Sequence, residues 1–265
     1  MRPSRIQSAA AEKPAYFTAT LAKGLGVLEA LADVEDAGLT ELARRVDVSS
    51  PTLFRILATL VGSGFVQKTP DSRYRLTLKS WELGARVVGR IAIRNVALPR
   101  MEQLVAEINE SPHLAVLQGN GVVIVEKAEC QQHVRVDTFV GQRAPAFCSA
   151  TGKAILAYET PNRLDAILSD PTVRFTDRTI YQRSDIEREL DQVRQLGYAV
   201  NRGEWRQGVS AVAVPLRDRD GQVAASLSVT LPTERFTDEA LKRFLPAPER
   251  TAQAIQADLG GGTRR

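Results

Sequence analysis

The sequence predicts an α+β chain in two parts, a small helical unit closed by a hairpin and a larger unit of antiparallel strands with flanking helices. Three observations lead there. Apolar residues recur at helical spacing up to Leu60, the period shortens to that of strands from Phe65 and again from His113, and the turn clusters Gly119-Asn120-Gly121 and Asp218-Arg219-Asp220-Gly221 each separate two strand-like runs. A chain of 265 residues is long enough for two ordinary domains, each with its own core.

Charge separates the two parts. Residues 1–90 carry 13 basic and 9 acidic side chains and the remainder 22 of each, so the whole formal excess of +4 lies in the first third. An anionic partner is expected for that segment, and nothing in the charge calls for one elsewhere. No apolar window approaches the roughly 18 residues of a membrane span. No apolar stretch follows the two arginines of the opening MRPSRIQSAAAEKPAYF, so no secretory signal is expected and the compartment reads as cytoplasmic. Two cysteines, Cys130 and Cys148, cannot build a disulfide framework and are expected to stay reduced. Residues 1–17 read as a disordered arm and 260–265 as a frayed tail.

Leu21, Leu25, Leu28, Leu31 and Ala32 supply the apolar spacing of a first helix, with Thr18 or Thr20 to cap it. A second opens at Thr40 and runs through Leu42, Ala43 and Val46 to a turn at Asp47-Val48-Ser49. A third starts at Ser50-Pro51, because proline lacks only a donor that the first turn cannot use. Leu53, Ile56, Leu57 and Leu60 form its inward stripe, whereas Thr52, Arg55 and Thr59 lie opposite and bring donors and one cation but no carboxylate. Helix, three-residue turn and helix of this polarity make a helix-turn-helix, whose second helix enters the major groove of DNA. Ser49, Ser50, Thr52, Arg55 and Thr59 are the candidate contacts there. Phe65–Lys68 and Arg73–Leu76, around the turn cluster Thr69-Pro70-Asp71-Ser72, form a wing in which Lys68, Arg73 and Arg75 are candidate phosphate contacts. The alternative is a small helical subdomain with a solvated basic face. Together these place a DNA-binding domain at 18–76.

Residues 77–94 read as a linker helix, followed by another helix, with breaks near Asn95 and Pro99. The apolar side bearing Trp81 needs a surface to bury against, either a partner subunit or this chain. Beyond it, His113–Gln118 pairs with Val122–Ala128, and Val209–Leu216 with Gln222–Leu231. Helices are expected at Thr151–Tyr158, Pro161–Leu168, Ser184–Leu196 and from Asp238, the last interrupted by Pro246 and Pro248. The alternating charges of Asp185, Glu187, Arg188, Glu189, Asp191 and Arg194 read as a solvated helix face.

The run Cys148-Ser149-Ala150-Thr151-Gly152-Lys153-Ala154-Ile155-Leu156-Ala157, then Leu196-Gly197-Tyr198-Ala199-Val200, Glu204, and Gly208-Val209-Ser210-Ala211-Val212-Ala213-Val214-Pro215, resembles the effector domain of IclR-type transcriptional regulators. Leu57-Ala58-Thr59-Leu60 after Arg55, with Gly64-Phe65-Val66 and Tyr74-Arg75-Leu76, is similar to that family's winged helix-turn-helix. The resemblance implies a GAF-like C-terminal domain over 95–259, a homodimer or homotetramer on an operator, and a small organic acid as effector. By motif position it implies a pocket lined by Cys148, Ala150, Thr151, Asn201, Glu204, Ala211, Ser228 and Thr230. Backbone N–H groups at the helix start near Thr151 are expected to receive a carboxylate. Departures fall at Asp47, where many members have glycine, at Asn201, where an acidic residue is common, and at Thr230-Leu231-Pro232, where Ser-Gly-Pro is frequent. They bear on operator sequence and effector identity.

Two other chemistries were open. Cys148 could act as a nucleophile with His113 or His133 as base, but no orienting partner stands at recognisable spacing. Cys130, His133, Cys148 and His113 could supply zinc ligands, but no paired ligand motif is visible. Neither a catalytic residue nor a metal is expected, and no glycine-rich phosphate loop calls for a nucleotide cofactor.

Overall fold

The computed structural model describes residues 16–89, 91–169 and 173–261. Most of the expected arm and tail lies outside these residues; Tyr16 and Phe17 are exposed, and Gly260 and Gly261 belong to the last helix. The described residues up to 89 form one compact unit and those from 91 another, so the division falls inside the stretch 77–94 expected to be a linker.

The N-terminal unit holds α1 (Ala19–Ala32), α2 (Leu39–Val46), α3 (Ser50–Gly62), the hairpin β1 (Val66–Lys68) and β2 (Tyr74–Leu76), and α4 (Lys79–Val88). Its core gathers Val27, Leu31, Leu42, Leu53, Leu57 and Val66. The inward row of α1 differs from the expected one: Gly24, Val27, Ala30 and Leu31 are buried, while Leu21 and Leu25 are 63% and 54% exposed. Gly24 faces α3, with Ile56 Cγ2 3.8 Å from where its Cβ would be, an ordinary contact distance. Gly38, not Thr40, is the N-cap of α2, which ends on Asp47 in the left-handed region at φ 51°. α3 begins one residue early, with Ser49 as N-cap and Ser50 and Pro51 already in its first turn. The hairpin pairs Val66 with Leu76 and Lys68 with Tyr74, and Tyr74 also exchanges two backbone bonds of 2.9 Å with Ala37. No residue of α4 is buried.

The C-terminal unit opens with α5 (Ala92–Ile108), which runs unbroken through Asn95 and Pro99. The interruption falls instead near Gly89, where α4 ends. Proline is tolerated inside α5 because it stands on the exposed side, where water can take the carbonyl it orphans, while Ala97, Met101 and Leu104 hold the helix to the core. Strands β3 (Ser111–Gln118), β4 (Gly121–Lys127), β5 (Arg143–Pro145), β6 (Ala199–Arg202), β7 (Val209–Arg217) and β8 (Val223–Pro232) build one antiparallel sheet in the order β5-β4-β3-β8-β7-β6. Gly119, at φ 62°, and Asn120 make the two-residue turn between β3 and β4. β5 was not expected from the sequence; three residues carry too little alternation to be read as a strand.

Helices cover both faces of this sheet. α5 and α10 (Pro246–Gly261) pack one face through Met101, Leu104, Leu227, Val229 and Ile255. α6 (Ala150–Leu156), α7 (Pro161–Leu168) and α8 (Arg183–Leu196) cover the other through Leu156, Leu168, Ile186, Leu190 and Ala213. Pro246 does not interrupt the last helix but opens it, after the separate α9 (Asp238–Phe244).

Candidate functional site

Two surfaces gather the residues singled out in the sequence, one in each unit. On α3 the outward side shows Ser50, Arg55, Ala58 and Thr59 exposed and Thr52 partly so. The Ser49 hydroxyl donates to Thr52 Oγ1 at 3.0 Å, and that of Thr59 turns back to the Arg55 carbonyl at 3.1 Å. The first turn holds no acidic residue, so the positive end of the helix faces outward unopposed. Phe54, 56% exposed beside Arg55, belongs to this surface and was missed, because a phenylalanine among leucines reads as core.

The wing divides its cations. Lys68 lies 5.9 Å from the centre of the Tyr74 ring, and the side chain of Arg75 is exposed. Arg73 does not face outward: its Nε donates to the Asp36 carboxylate, and Nη2 reaches the Asp36 carbonyl at 3.3 Å and Glu41 at 3.5 Å. Two carboxylates on the α1–α2 side thus draw this guanidinium back, and it ties the wing to the helices.

In the C-terminal unit the register aligns the second set. Asn201, Ala211, Thr230 and Ser111 form one row across β6, β7, β8 and β3, and Ala199, Ala213, Ser228 and His113 form the next. This is the face on which α6 lies, and Ser226 Oγ in the following row donates to the Thr151 carbonyl at 3.0 Å. Asn201 is engaged within the chain: its amide N–H donates to the Cys148 carbonyl, and Oδ1 accepts from Gly203 and Glu204 N–H at 2.9 and 3.1 Å. It therefore fixes the loop that carries Glu204.

Glu204 leads to a residue that the sequence reading did not single out. Lys153, 1% exposed on α6, donates from Nζ to Glu204 Oε1 at 2.8 Å and to Glu189 Oε1 of α8 at 2.9 Å. Burial raises the Glu204 pKa, the Lys153 charge opposes it and Glu189 adds to it. The available signal was a lysine between Gly152 and Ala154-Ile155-Leu156, with no polar face of its own to occupy.

Cys148 is fully buried, and burial followed by the Glu204 charge holds its thiol well above the ordinary range. Among the described residues no three His, Cys, Asp or Glu side chains converge as a metal site. A cleft of about 350 Å³ lies by α8, lined by Thr179, Tyr181, Gln182, Arg188 and Glu189, none of them a residue the motif implied.

His113 Nε2 lies 2.6 Å from Thr138 Oγ1, and burial followed by the Lys127 charge lowers its pKa to about 4. Since the folded state holds this ring neutral and the unfolded one titrates near 6.5, its contribution is present above that value and is lost as pH falls to about 4. Urea unfolding across this window is expected to show a loss of about 3 kcal/mol, absent in His113→Gln; equal slopes for both proteins would refute the assignment.

Two family models match the chain in separate segments. The model described as "IclR helix-turn-helix domain" matches residues 20–70, and "Bacterial transcriptional regulator IclR C-terminal" matches 85–257. The HTH-type transcriptional regulator KdgR of Escherichia coli is 34% identical over 251 residues, 94% of this chain and 95% of that one. Among solved structures, Thermotoga maritima IclR superposes with a TM-score of 0.73 at 28% identity, covering 91% of this chain and 98% of that one. An IclR homolog from Microbacterium hydrocarbonoxydans, complexed with 4-hydroxybenzoate, gives 0.78 at 28% identity, with 92% and 100% covered.

Proposed function

The chain belongs to the IclR family of bacterial transcriptional regulators, and from that premise we propose that α3 and the wing bind a double-stranded operator whose affinity changes when a small organic acid occupies the α6 face of the sheet. The observation that carries the reading is the outward face of α3: Arg55, Thr52 and Ser50, without a carboxylate, beside a wing that presents Lys68 and Arg75. Arg55 and Thr52 read base edges, and Phe54 meets a thymine methyl in the same groove. Lys68 and Arg75 contact flanking phosphates, whereas Arg73 keeps the wing in place.

The acid lies near Cys148, Ala150, Thr151, Ala211, Ser228 and Thr230, with Asn201 and Glu204 shaping the loop beside it. That a homolog is complexed with 4-hydroxybenzoate supports an acid in this fold. The protein acts as a cytoplasmic homodimer or homotetramer, since Leu78, Trp81 and Val87 on and beside α4 are 77%, 66% and 64% exposed and a second subunit would cover them. No catalytic step is assigned.

The test is fluorescence anisotropy with the duplex upstream of its own gene, across a salt series, with and without carboxylic acids. Steeply salt-dependent, operator-selective binding shifted by one acid is expected, and equal affinity for random DNA would overturn the reading. In the same assay Arg55→Ala is expected to cost about 1–3 kcal/mol on operator and to relax base preference. Lys68→Ala should lower affinity evenly and reduce the salt slope by roughly one. Arg73→Ala should instead lower the melting temperature.

A further inference from the structure

We propose that Arg206, stacked on Trp205, is the residue that takes the carboxylate of the acid in the C-terminal unit. This rests on the reading above that an acid acts there, and it moves the anchor away from the helix start where the sequence placed it. α6 has only seven residues, and one of its first-turn donors is already engaged, since the Gly152 N–H donates to Ser149 Oγ at 3.2 Å.

Arg206 is differently placed. Trp205 is rooted among Ala115, Val122, Ala144 and Ile155, so the loop after β6 crosses the α6 face of the sheet as far as β3 and β4. The Arg206 guanidinium lies 4.3 Å from the centre of that indole, half-buried. Its electrostatic neighbour is Asp137, next to Thr138, whose hydroxyl meets His113 in the row of Ser228. Stacked on Trp205, the cation therefore belongs to the α6 side of the sheet, the side that carries Ser228 and Thr230.

What distinguishes it is the lack of an ion pair among the described residues. Arg94, Arg202 and Arg235, also half-buried in this unit, each reach a carboxylate, on Glu126, Asp238 and Glu110. Arg206 makes no ion pair among the described residues, although burial already disfavours its charge. A guanidinium taken partly from water, and held flat on an aromatic face, presents two parallel N–H donors that match the two oxygens of a carboxylate. Ser228 and Thr230 belong to the same face of the sheet. The ligand class is a small monocarboxylic acid, and its neutral amide should be rejected because it offers the fork one acceptor oxygen and no negative charge.

The experiment is calorimetric titration of the full chain with benzoate and propionate, each against its amide, benzamide and propionamide. Wild type is expected to bind one of the acids and neither amide. Arg206→Gln should lose that binding about tenfold or more, with Arg206→Lys between them because an ammonium offers no fork. The melting temperature and ligand-free operator affinity of both variants should be unchanged. Equal affinity for the acid in Arg206→Gln and wild type would overturn the proposal while leaving an acid-responsive regulator. If neither acid binds wild type at millimolar concentration while operator binding is intact, both the anchor and the acid effector fall, and the DNA-binding reading alone stands.

Discussion

Gly152→Ala is expected to destabilise the C-terminal unit by about 3 kcal/mol or more. A Cβ at this position would stand 2.1 Å from the Ala146 carbonyl oxygen and 2.4 Å from its Cα, and both are backbone atoms, so no side-chain rotation relieves the overlap. Either α6 lifts from the chain before it or the segment entering it shifts, and both moves disturb Ser149, whose hydroxyl caps this helix and donates to the Pro145 carbonyl at 2.6 Å. The control is Gly26→Ala in α1, where nothing lies within 4 Å of the new methyl and alanine's better helix propensity should stabilise by about 0.5–1 kcal/mol. Opposite signs for these two substitutions in urea unfolding are expected; a neutral Gly152→Ala would show that the close approach is not a constraint.

Lys153→Met is expected to cost about 3–5 kcal/mol at neutral pH, because it removes the cation and leaves two carboxylates facing one another inside the protein. Glu204 is the more deeply buried of the two, and its second oxygen, Oε2, has no hydrogen-bond partner. With its cation gone the Glu204 carboxyl protonates more readily still, so the loss should shrink as pH falls. The triple variant Lys153→Met, Glu189→Gln, Glu204→Gln should recover much of the stability, since a neutral set need not compensate a buried charge. A loss of equal size in the triple variant would mean that lysine packing, not charge, is what the single variant removes.

The two units, the helix-turn-helix, both hairpins and the turn residues at Asp47 and Gly119 were legible in the sequence, because each rests on local chemistry: a period, a cap or a tolerated left-handed residue. What was not legible depends on partners distant along the chain. Leu21 and Leu25 look as apolar as Leu31, and only the approach of Ile56 to Gly24 shows which side of α1 turns inward. Arg73 reads as one more wing cation until Asp36 and Glu41 are brought beside it. Lys153 and Glu204 are 51 residues apart, and no spacing rule joins them. The motif drew attention to one sheet face and to Glu204, whereas Arg206 lay outside it, because an arginine without an ion pair stands out only once the partners of the others have been assigned.

The tie between Arg73 and the α1–α2 segment also sets how this protein could be recombined with its relatives. With Ala37 bonded to Tyr74 and Arg73 held by Asp36 and Glu41, the wing is fastened to the segment before the recognition helix as well as to the chain after it. A chimaera that imports only α3 would keep the old wing at its old angle, with phosphate contacts fitted to a different groove. The smallest exchangeable cassette is residues 36–76, and specificity should transfer intact only when that block moves as one piece.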